Sequence, residues 1–272
     1  MEIRHAVAPD QIPLFDTSEL RKRFVVEDLF ADGECRFVYS MSDRLVIGGV
    51  VTVGGEVKLA CPEELRSEYF LERRELGVVN ISQGTATVTV DGEVFELAPQ
   101  EVLSVGRGKR EVRFSGDARL YLVSASAHTE YPTAKITQQD AAPVALGDIK
   151  NSNERVIYKY IHAEGAKSCQ LVLGVTVLAE GSMWNTMPAH VHARRSEIYL
   201  YFNLPEDARV VHLMGEPDQT RHVILANEDV VISPPWSIHA GMGTAAYTFV
   251  WAMAGENLDY SDVELKPVTE LR

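Results

Sequence analysis

The sequence predicts an all-β protein that contains only a few short helices. Runs in which apolar and polar residues alternate occur along the chain, and this period of two is typical of strands with one buried face. Glycine, proline and other turn-forming residues separate the runs at short intervals, which favours a sandwich or a barrel. Helical periodicity is confined to residues 17–24 and 62–70.

The clearest element is a β-hairpin over residues 85–97. Ala86, Val88 and Val90 share one face of its first strand, and an Asp-Gly turn leads into residues 93–97. An Asp-Gly dipeptide between two β-prone runs is among the strongest short hairpin signals. Further runs have the same strand character: 112–114, 120–124, 155–161, 171–178, 197–202, 210–214, 230–232 and 248–252.

The chain also contains an internal repeat. Three short segments recur in the same order, which favours a duplicated β-unit. The matching pairs are Leu97–Leu103 with Leu225–Val231, Ala118–Val123 with Ala245–Val250, and Arg73–Leu76 with Arg195–Ile198. Residues 131–153, between the copies, are polar and contain several prolines and asparagines, as a linker does. We therefore expect two domains, residues 1–135 and 136–272.

Composition excludes several classes of protein. The 272 residues carry 26 Lys and Arg against 39 Asp and Glu, a net charge of −13, and 46% are hydrophobic, so the chain is globular. A surface this acidic repels phosphate backbones and anionic lipid, so we expect neither nucleic acid nor a membrane as a partner. The three cysteines have no paired spacing, and Met1–His5 contains no apolar signal segment. Both observations favour a cytoplasmic protein.

Three histidines and one glutamate form a candidate metal site. His190 and His192 are two residues apart, so on a strand both imidazoles face the same side, and Glu197 begins the next strand-like run. His239 lies in a predicted tight turn after two prolines. Each histidine alone is more often a hydrogen-bonded core residue. Together the four favour a divalent metal, with Zn²⁺, Fe²⁺, Mn²⁺, Ni²⁺ and Co²⁺ all suited to the ligands.

This pattern, H-x-H-x4-E followed by P-x3-H, resembles the two motifs of cupins, small β-barrels that hold a metal in the barrel mouth. The chain is also similar to the family of 5-keto-4-deoxyuronate isomerases (4-deoxy-L-threo-5-hexosulose-uronate ketol-isomerases). The similar stretches are 70–77, 126–128, 131–133, 183–188, 216–222, 235–239 and 255–257. They cover most of the chain, and together they are far more specific than the metal motif.

The resemblance implies two tandem cupin barrels and an enzyme that isomerises an aldose to a ketose. The reaction would convert 5-keto-4-deoxyuronate into 3-deoxy-D-glycero-2,5-hexodiulosonate during the breakdown of pectin and related uronates. The resemblance also implies a homo-hexamer with one divalent metal ion per chain, zinc. The family's zinc ligands correspond to His190, His192, Glu197 and His239.

The first copy of the repeat lacks these ligands. When it is aligned on Glu75, Glu68 and Phe70 stand in place of the first two histidines; when it is aligned through Leu97, Glu111 stands in place of the third. We therefore predict that residues 1–135 form a degenerate barrel without a catalytic metal.

The carboxylate of a sugar acid calls for a cationic side chain. Six are candidates, Arg107, Arg155, Lys159, Arg194, Arg195 and Arg221, and we assign substrate binding to Arg155, Lys159 and Arg194. Arg155 and Lys159 share one face of the predicted strand 155–161, and Lys159 is the first choice because it is the only charged residue after Arg155 in that strand. Proton transfer also requires a base. Lys159 and Glu197 are the catalytic candidates, although a carboxylate committed to a metal is a poor base.

The substrate preference is left open by departures from the family pattern between the ligands, at Ala189, Val191, Ala193 and Ser196. Small residues there alter the surroundings of the ligands. One alternative is a related isomerase that acts on another deoxyuronate, such as 5-deoxyglucuronate. Others are a non-enzymatic cupin that binds a sugar acid and an iron-dependent dioxygenase, which would consume oxygen.

Overall fold

The computed structural model describes residues 1–256 and 262–272, and strands dominate it. Asn257, which ends one of the family-like stretches, lies outside the described residues. The strands are β1 (Glu2–Arg4), β2 (Val25–Val26), β3 (Cys35–Ser40), β4 (Val46–Val51), β5 (Val57–Lys58), β6 (Arg74–Asn80), β7 (Ala86–Val90), β8 (Glu93–Leu97), β9 (Val102–Val105), β10 (Val112–Ser115), β11 (Arg119–Ser126), β12 (Ala134–Ile136), β13 (Val144–Leu146), β14 (Arg155–Ile161), β15 (Val172–Leu178), β16 (Trp184–Val191), β17 (Arg195–Phe202), β18 (Val210–Glu216), β19 (Gln219–Leu225), β20 (Val230–Ser233), β21 (His239–Gly243), β22 (Thr248–Gly255) and β23 (Glu264–Leu265).

The helical elements are short. The helix predicted over residues 17–24 is confirmed as α1 (Thr17–Phe24), and the Asp16 side chain caps it by accepting a hydrogen bond from the Glu19 amide at 2.8 Å. The helix predicted over 62–70 is wrong. Only a 3₁₀ turn forms there, because Arg66 adopts a left-handed conformation and ends it. The 3₁₀ turns are Pro9–Leu14, Glu63–Leu65, Ile149–Asn151 and Val268–Glu270. None of the described helices is long and apolar enough to cross a membrane.

The strands form four sheets, which we group as two sheet pairs. The first sheet pair combines a seven-stranded sheet, β1-β3-β4-β11-β6-β9-β12, with a four-stranded sheet, β5-β10-β7-β8. The second sheet pair combines β13-β14-β15-β22-β17-β20-β2 with β19-β18-β21-β16-β23. The predicted all-β fold is therefore confirmed, and the hairpin of residues 85–97 is the pair β7–β8.

Three apolar layers hold the sheets together. Leu76 and Phe114 lie in the layer inside the first sheet pair, and Tyr201 lies in the layer inside the second. Ile47 and Ile198 belong to a third layer, in which the two seven-stranded sheets pack on each other. Apolar burial on both faces explains why β4 and β17 are buried along their whole length.

One segment crosses from the first part of the sequence to the second sheet pair. Strand β2 pairs with β20, and Leu20 and Phe24 of α1 pack in the core of the second sheet pair. The Trp236 indole donates a hydrogen bond to the Val7 carbonyl at 3.0 Å. The domain bounds 1–135 and 136–272 stay a prediction, but residues 7–26 pack with the later strands.

The strand pairing corrects the alignment of the repeat on Glu75. Arg74 lies opposite Ser126, and Glu197 lies opposite Met253. The match of Ala118–Val123 with Ala245–Val250, continued along the strand, equates Ser126 with Met253. Relative to β11 and β22, Arg74 is therefore the counterpart of Glu197. Relative to β9 and β20 the counterpart is Leu76, which lies opposite Val105 as Glu197 lies opposite Ser233. Both residues are on the same face of β6, and Glu75 is on the other. Because side chains alternate along a strand, the alignment on Glu75 placed the wrong face of β6 in the comparison.

Candidate metal centre

The candidate ligands come from both sheets of the second sheet pair. His190 on β16 lies directly opposite His239 on β21, and His192 follows immediately after β16. Glu197 is on β17, in the facing seven-stranded sheet, where it pairs with Ser233 of β20. The centre therefore lies between the two sheets, and both sheets are needed to form it.

The four side chains meet at one point. The Nε2 atom of His190 lies 3.1 Å from Nε2 of His192 and 3.0 Å from Nε2 of His239. Oε2 of Glu197 lies 3.0 Å from Nε2 of His192 and 2.8 Å from Nε2 of His239. All four ligand atoms are within 4.8 Å of one another, and three of the residues are buried while His190 is half-buried. The predicted residues are thus brought together.

The hydrogen bonds around the histidines fit a bound cation. Nδ1 of His192 is 2.9 Å from the Asp262 carbonyl oxygen, and in the tautomer with the hydrogen on Nδ1 this oxygen accepts it and Nε2 offers a lone pair. Nδ1 of His239 is 3.2 Å from the Ser233 hydroxyl, which donates to the Ser237 carbonyl at 3.5 Å and is left to accept. Both Nε2 lone pairs then face a carboxylate oxygen. A divalent cation between them removes that repulsion.

The electrostatics of the centre favour the deprotonated ligands that a metal requires. Burial and the neighbouring His239 lower the pKa of His190 to about 2. Burial alone would raise the pKa of Glu197, but His239 and His192 hold it well below its usual range. Three imidazoles and one carboxylate form a donor set suited to a transition metal.

Residues for which the sequence did not predict a contact with the ligands lie directly behind them. Arg195 is fully buried, and its guanidinium lies 3.3 Å from Nδ1 of His192 and 3.2 Å from the Asp262 carbonyl oxygen. The Ser233 hydroxyl lies 3.2 Å from Nδ1 of His239. Asp262 is about seventy residues from His192 in sequence, so no local pattern could have identified it. Arg195 and Ser233 adjoin the predicted motifs, but their roles depend on the packing.

A cavity of about 390 Å³ opens over the ligands. Its walls are mostly apolar, with polar groups from Arg155, Thr186 and Tyr199. The hydroxyls of Thr186 and Tyr199 are 3.2 Å apart, and Asn185 donates to Thr186 at 2.9 Å. An apolar pocket with a few polar groups beside a metal centre is typical of a binding site for a small polar molecule. The apolar lining residues are Leu146, Ile157, Met187, Pro188, Phe249, Trp251, Met253, Val263 and Leu265.

The three predicted cationic residues are placed differently. Arg155 is the only lysine or arginine among the described residues that line the cavity, and it donates to the Asn153 carbonyl at 2.8 Å. Lys159, two residues further along β14, is not among the lining residues. The Arg194 side chain is 60% exposed and lies 3.9 Å from the Glu256 carboxylate. The structure thus brings Arg155 to the candidate metal centre but not the other two, whose roles stay predictions.

A family model described as the KduI/IolB family matches residues 24–269. The chain belongs to the KduI/IolB family. The full chain is 51% identical to the full length of a protein from Bacillus pumilus and 50% identical to one from Halalkalibacterium halodurans. A relative from Kineococcus radiotolerans is 51% identical, again over both whole chains. All three are named 4-deoxy-L-threo-5-hexosulose-uronate ketol-isomerase. The predicted family resemblance is confirmed.

Solved structures support the fold. An IolB-like protein from Salmonella typhimurium superposes with a TM-score of 0.69 at 17% identity, over 82% of this chain and 87% of that one. Oxalate decarboxylase from Lactobacillus farciminis gives a TM-score of 0.61 at 13% identity, over 92% and 87%. These similarities concern the fold alone, and they agree with the cupin type predicted from the motifs.

Proposed function

We propose that this protein is a metal-dependent ketol-isomerase that converts 4-deoxy-L-threo-5-hexosulose uronate into 3-deoxy-D-glycero-2,5-hexodiulosonate. The observation that carries the proposal is the meeting of His190, His192, Glu197 and His239 beneath a cavity. This arrangement occurs in a chain about half identical, over its whole length, to proteins named for that activity.

The four ligands would hold one divalent cation per chain, and we favour zinc. Such an ion acts as a Lewis acid for the negative charge that develops on substrate oxygens when a proton moves between adjacent carbons. Asp262 and Ser233 keep the Nε2 atoms of His192 and His239 directed at the ion by holding their Nδ1 atoms.

Arg155 is the residue that we place against the substrate carboxylate. It is the only cationic side chain among the described residues of the cavity wall. A guanidinium can bind a carboxylate through two parallel hydrogen bonds, which would also fix the direction of the substrate in the cavity. Ile157 and Trp251 beside it exclude water and so strengthen these interactions.

Lys159 and Glu197 remain the candidates for proton transfer. Glu197 lies at the centre, but its carboxylate oxygen is within 3.0 Å of two histidine nitrogens, which favours a role as ligand. Lys159 lies on the same strand as Arg155. It acts on the substrate only if its side chain reaches into the cavity when the substrate is bound.

The same proposal implies an origin for the substrate, a location for the enzyme and an assembly. The substrate would come from unsaturated uronates released by the breakdown of pectin or related polysaccharides, and the enzyme would act in the cytoplasm. We further propose a homo-hexamer that has no nucleic-acid or membrane partner. The alternative substrate 5-deoxyglucuronate is disfavoured because the full-length relatives carry the name of the first activity.

The proposal is tested by turnover of 4-deoxy-L-threo-5-hexosulose uronate by the purified protein without oxygen. We expect turnover that is lost after chelation and restored by zinc. A dioxygenase would be inactive without oxygen. A protein that retains its metal but gives no turnover would overturn this substrate, and 5-deoxyglucuronate would then be assayed under the same conditions.

A further inference from the structure

Relative to the neighbouring strand β11, Arg74 has in the first sheet pair the place that Glu197 has in the second relative to β22. Its position opposite Ser126 on β11 corresponds to the position of Glu197 opposite Met253 on β22. The side chain is 6% exposed. A buried cation thus stands where the other half of the molecule has a candidate metal ligand.

The guanidinium of Arg74 is bound only to neutral oxygen atoms. Nε donates to the Ser124 hydroxyl at 3.0 Å, and Nη2 donates to the carbonyl oxygens of Ser124 at 2.8 Å and Arg44 at 2.6 Å. The Tyr39 ring lies 5.8 Å from the guanidinium carbon. None of the ion pairs within residues 1–256 and 262–272 includes Arg74.

The adjacent carboxylate is committed elsewhere. Glu75 points to the opposite face of β6, where it accepts hydrogen bonds from the amides of Cys169, Gln170 and Leu171 at 2.6, 2.8 and 2.8 Å. A buried charge without a partner of opposite sign destabilises a folded protein in general. Burial lowers the pKa of Arg74 to about 10, so the guanidinium is still charged at neutral pH.

Arg74 lines a cavity of about 320 Å³ at the surface of the first sheet pair. Ser67 and Ser126 line it too, and Arg73, whose guanidinium lies 3.8 Å from the Glu72 carboxylate, adds a second cation. The one carboxylate in the wall, Glu64, lies 2.8 Å from the amino terminus, which neutralises it. The cavity therefore has an excess of positive charge in a chain whose net charge is −13.

We propose that this cavity is a second, metal-free binding site for the carboxylate of a small organic acid, with Arg74 as its buried cation. A guanidinium and two hydroxyls match the oxygen atoms of a carboxylate and of a neighbouring hydroxyl. In so acidic a protein, only a local cation can attract an anion. The site is separate from the candidate metal centre and does not depend on the proposed isomerase activity.

Calorimetric titration of the full-length, metal-loaded protein with D-galacturonate tests this site, with neutral D-galactose as the matched ligand. We expect Arg74→Met to remove one bound galacturonate per chain while the kcat and KM of isomerisation stay unchanged. We expect galactose to bind at neither site. Arg155→Met should remove the other bound galacturonate, so failure of the isomerase proposal and failure of this one are distinguishable.

Two further variants guard against misfolding. Ser126→Phe fills the cavity and leaves the hydrogen bonds of Arg74 to Ser124 and Arg44 intact, so it should cause the same loss. Arg73→Met removes an exposed cation and should weaken binding only about threefold. Equal stoichiometry in wild type, Arg74→Met and Ser126→Phe would overturn the proposal, as would equal binding of galactose.

The carboxylate could instead be supplied by an Asp or Glu side chain of a second copy of this chain. Sedimentation of wild type and Arg74→Met at equal concentration separates the two sources. A free acid predicts the same oligomeric state for both proteins. Dissociation of Arg74→Met, together with no galacturonate binding to wild type at this cavity, would assign the site to assembly and overturn the proposal for a small acid.

Discussion

The two sheet pairs use the same order of central strands for different chemistry. β4-β11-β6-β9 in the first corresponds to β15-β22-β17-β20 in the second. At equivalent places the first has Arg74, bound to neutral oxygens, and the second has Glu197, bound to histidine nitrogens. Within the described residues, the cluster of metal-binding groups occurs only in the second sheet pair.

The difference shows how few residues decide what such a framework does. Both cavities lie beside a buried charged residue on the central strand, β6 or β17. Only the second sheet pair adds histidines from β16 and β21. A carboxylate with three imidazoles favours a cation, whereas a guanidinium favours an anion. The strands place a buried charged residue beside each cavity, and the identity of the side chain decides whether that charge is positive or negative.

The largest effect is expected from loss of a candidate ligand in the second sheet pair. His190→Ala should reduce bound metal from about one ion per chain to almost none and lower turnover by about 10³-fold, because several kcal/mol of charge stabilisation is lost. Metal analysis and turnover measure this. The exposed His222 on β19 provides the control: His222→Ala should change neither. More than about one ion per wild-type chain after dialysis would contradict the contrast between the two halves.

The next effect concerns the cation in the cavity wall. Arg155→Met should raise KM by about 10- to 100-fold, since a charge-assisted pair with the substrate carboxylate is lost, and leave the metal content intact. Steady-state kinetics measure it. Lys159→Met is the matched variant from the same strand. If Lys159 is catalytic, its loss abolishes turnover with metal retained, while full activity would remove it from the site.

A smaller effect should follow from breaking the contact of Glu75 with the second half. Glu75→Gln turns one of the acceptor oxygens for Cys169, Gln170 and Leu171 into a donor, and we expect a loss of about 2 kcal/mol in the free energy of unfolding. Denaturant unfolding measures it. Glu96→Gln, at an exposed position of β8, should be neutral within about 0.5 kcal/mol. Equal stability of both variants would show that Glu75 does not join the halves.

The smallest effect compares two similar turns. Asp229 accepts a hydrogen bond from the Ala226 amide, as Glu101 does from the Ala98 amide, both at 2.8 Å. Glu101 also pairs with Lys135 at 2.8 Å, whereas burial raises the pKa of Asp229 to about 6. A carboxyl group whose pKa is raised in the folded state stabilises that state at low pH. This stabilisation disappears as the pH rises through 6, because burial destabilises the ionised carboxylate.

Asp229→Asn keeps the accepting oxygen and removes this penalty. We therefore expect it to stabilise the protein on the order of 1 kcal/mol at pH 8, and by less at pH 5. Glu101→Gln should instead destabilise slightly, by about 0.5 kcal/mol, because it loses the pair with Lys135. Unfolding at the two pH values checks both signs. A gain for Asp229→Asn that is the same at both pH values would argue against ionisation as the cause.

The sequence alone determined ten of the strands, the candidate ligands and the family. Alternation of side chains and Asp-Gly turn chemistry are local properties, so the hairpin of residues 85–97 and the shared face of His190 and His192 could be read directly. Glu197 follows His192 by only five residues, so its place near the two histidines could also be read from the sequence. The grouping of these residues with His239 rested on the residue types and was strengthened by the resemblance to the cupin motifs, because no local rule brings distant strands together.

Only the tertiary structure decided which residues surround these ligands. It placed Asp262 behind His192, put Arg155 in the cavity wall, and carried residues 7–26 onto the second sheet pair. It also showed that Arg74, and not Glu75, lies on the face of β6 that corresponds to the face of Glu197 on β17. A shift of one residue along a strand reverses the face of every side chain, and only the register of neighbouring strands reveals which face is which.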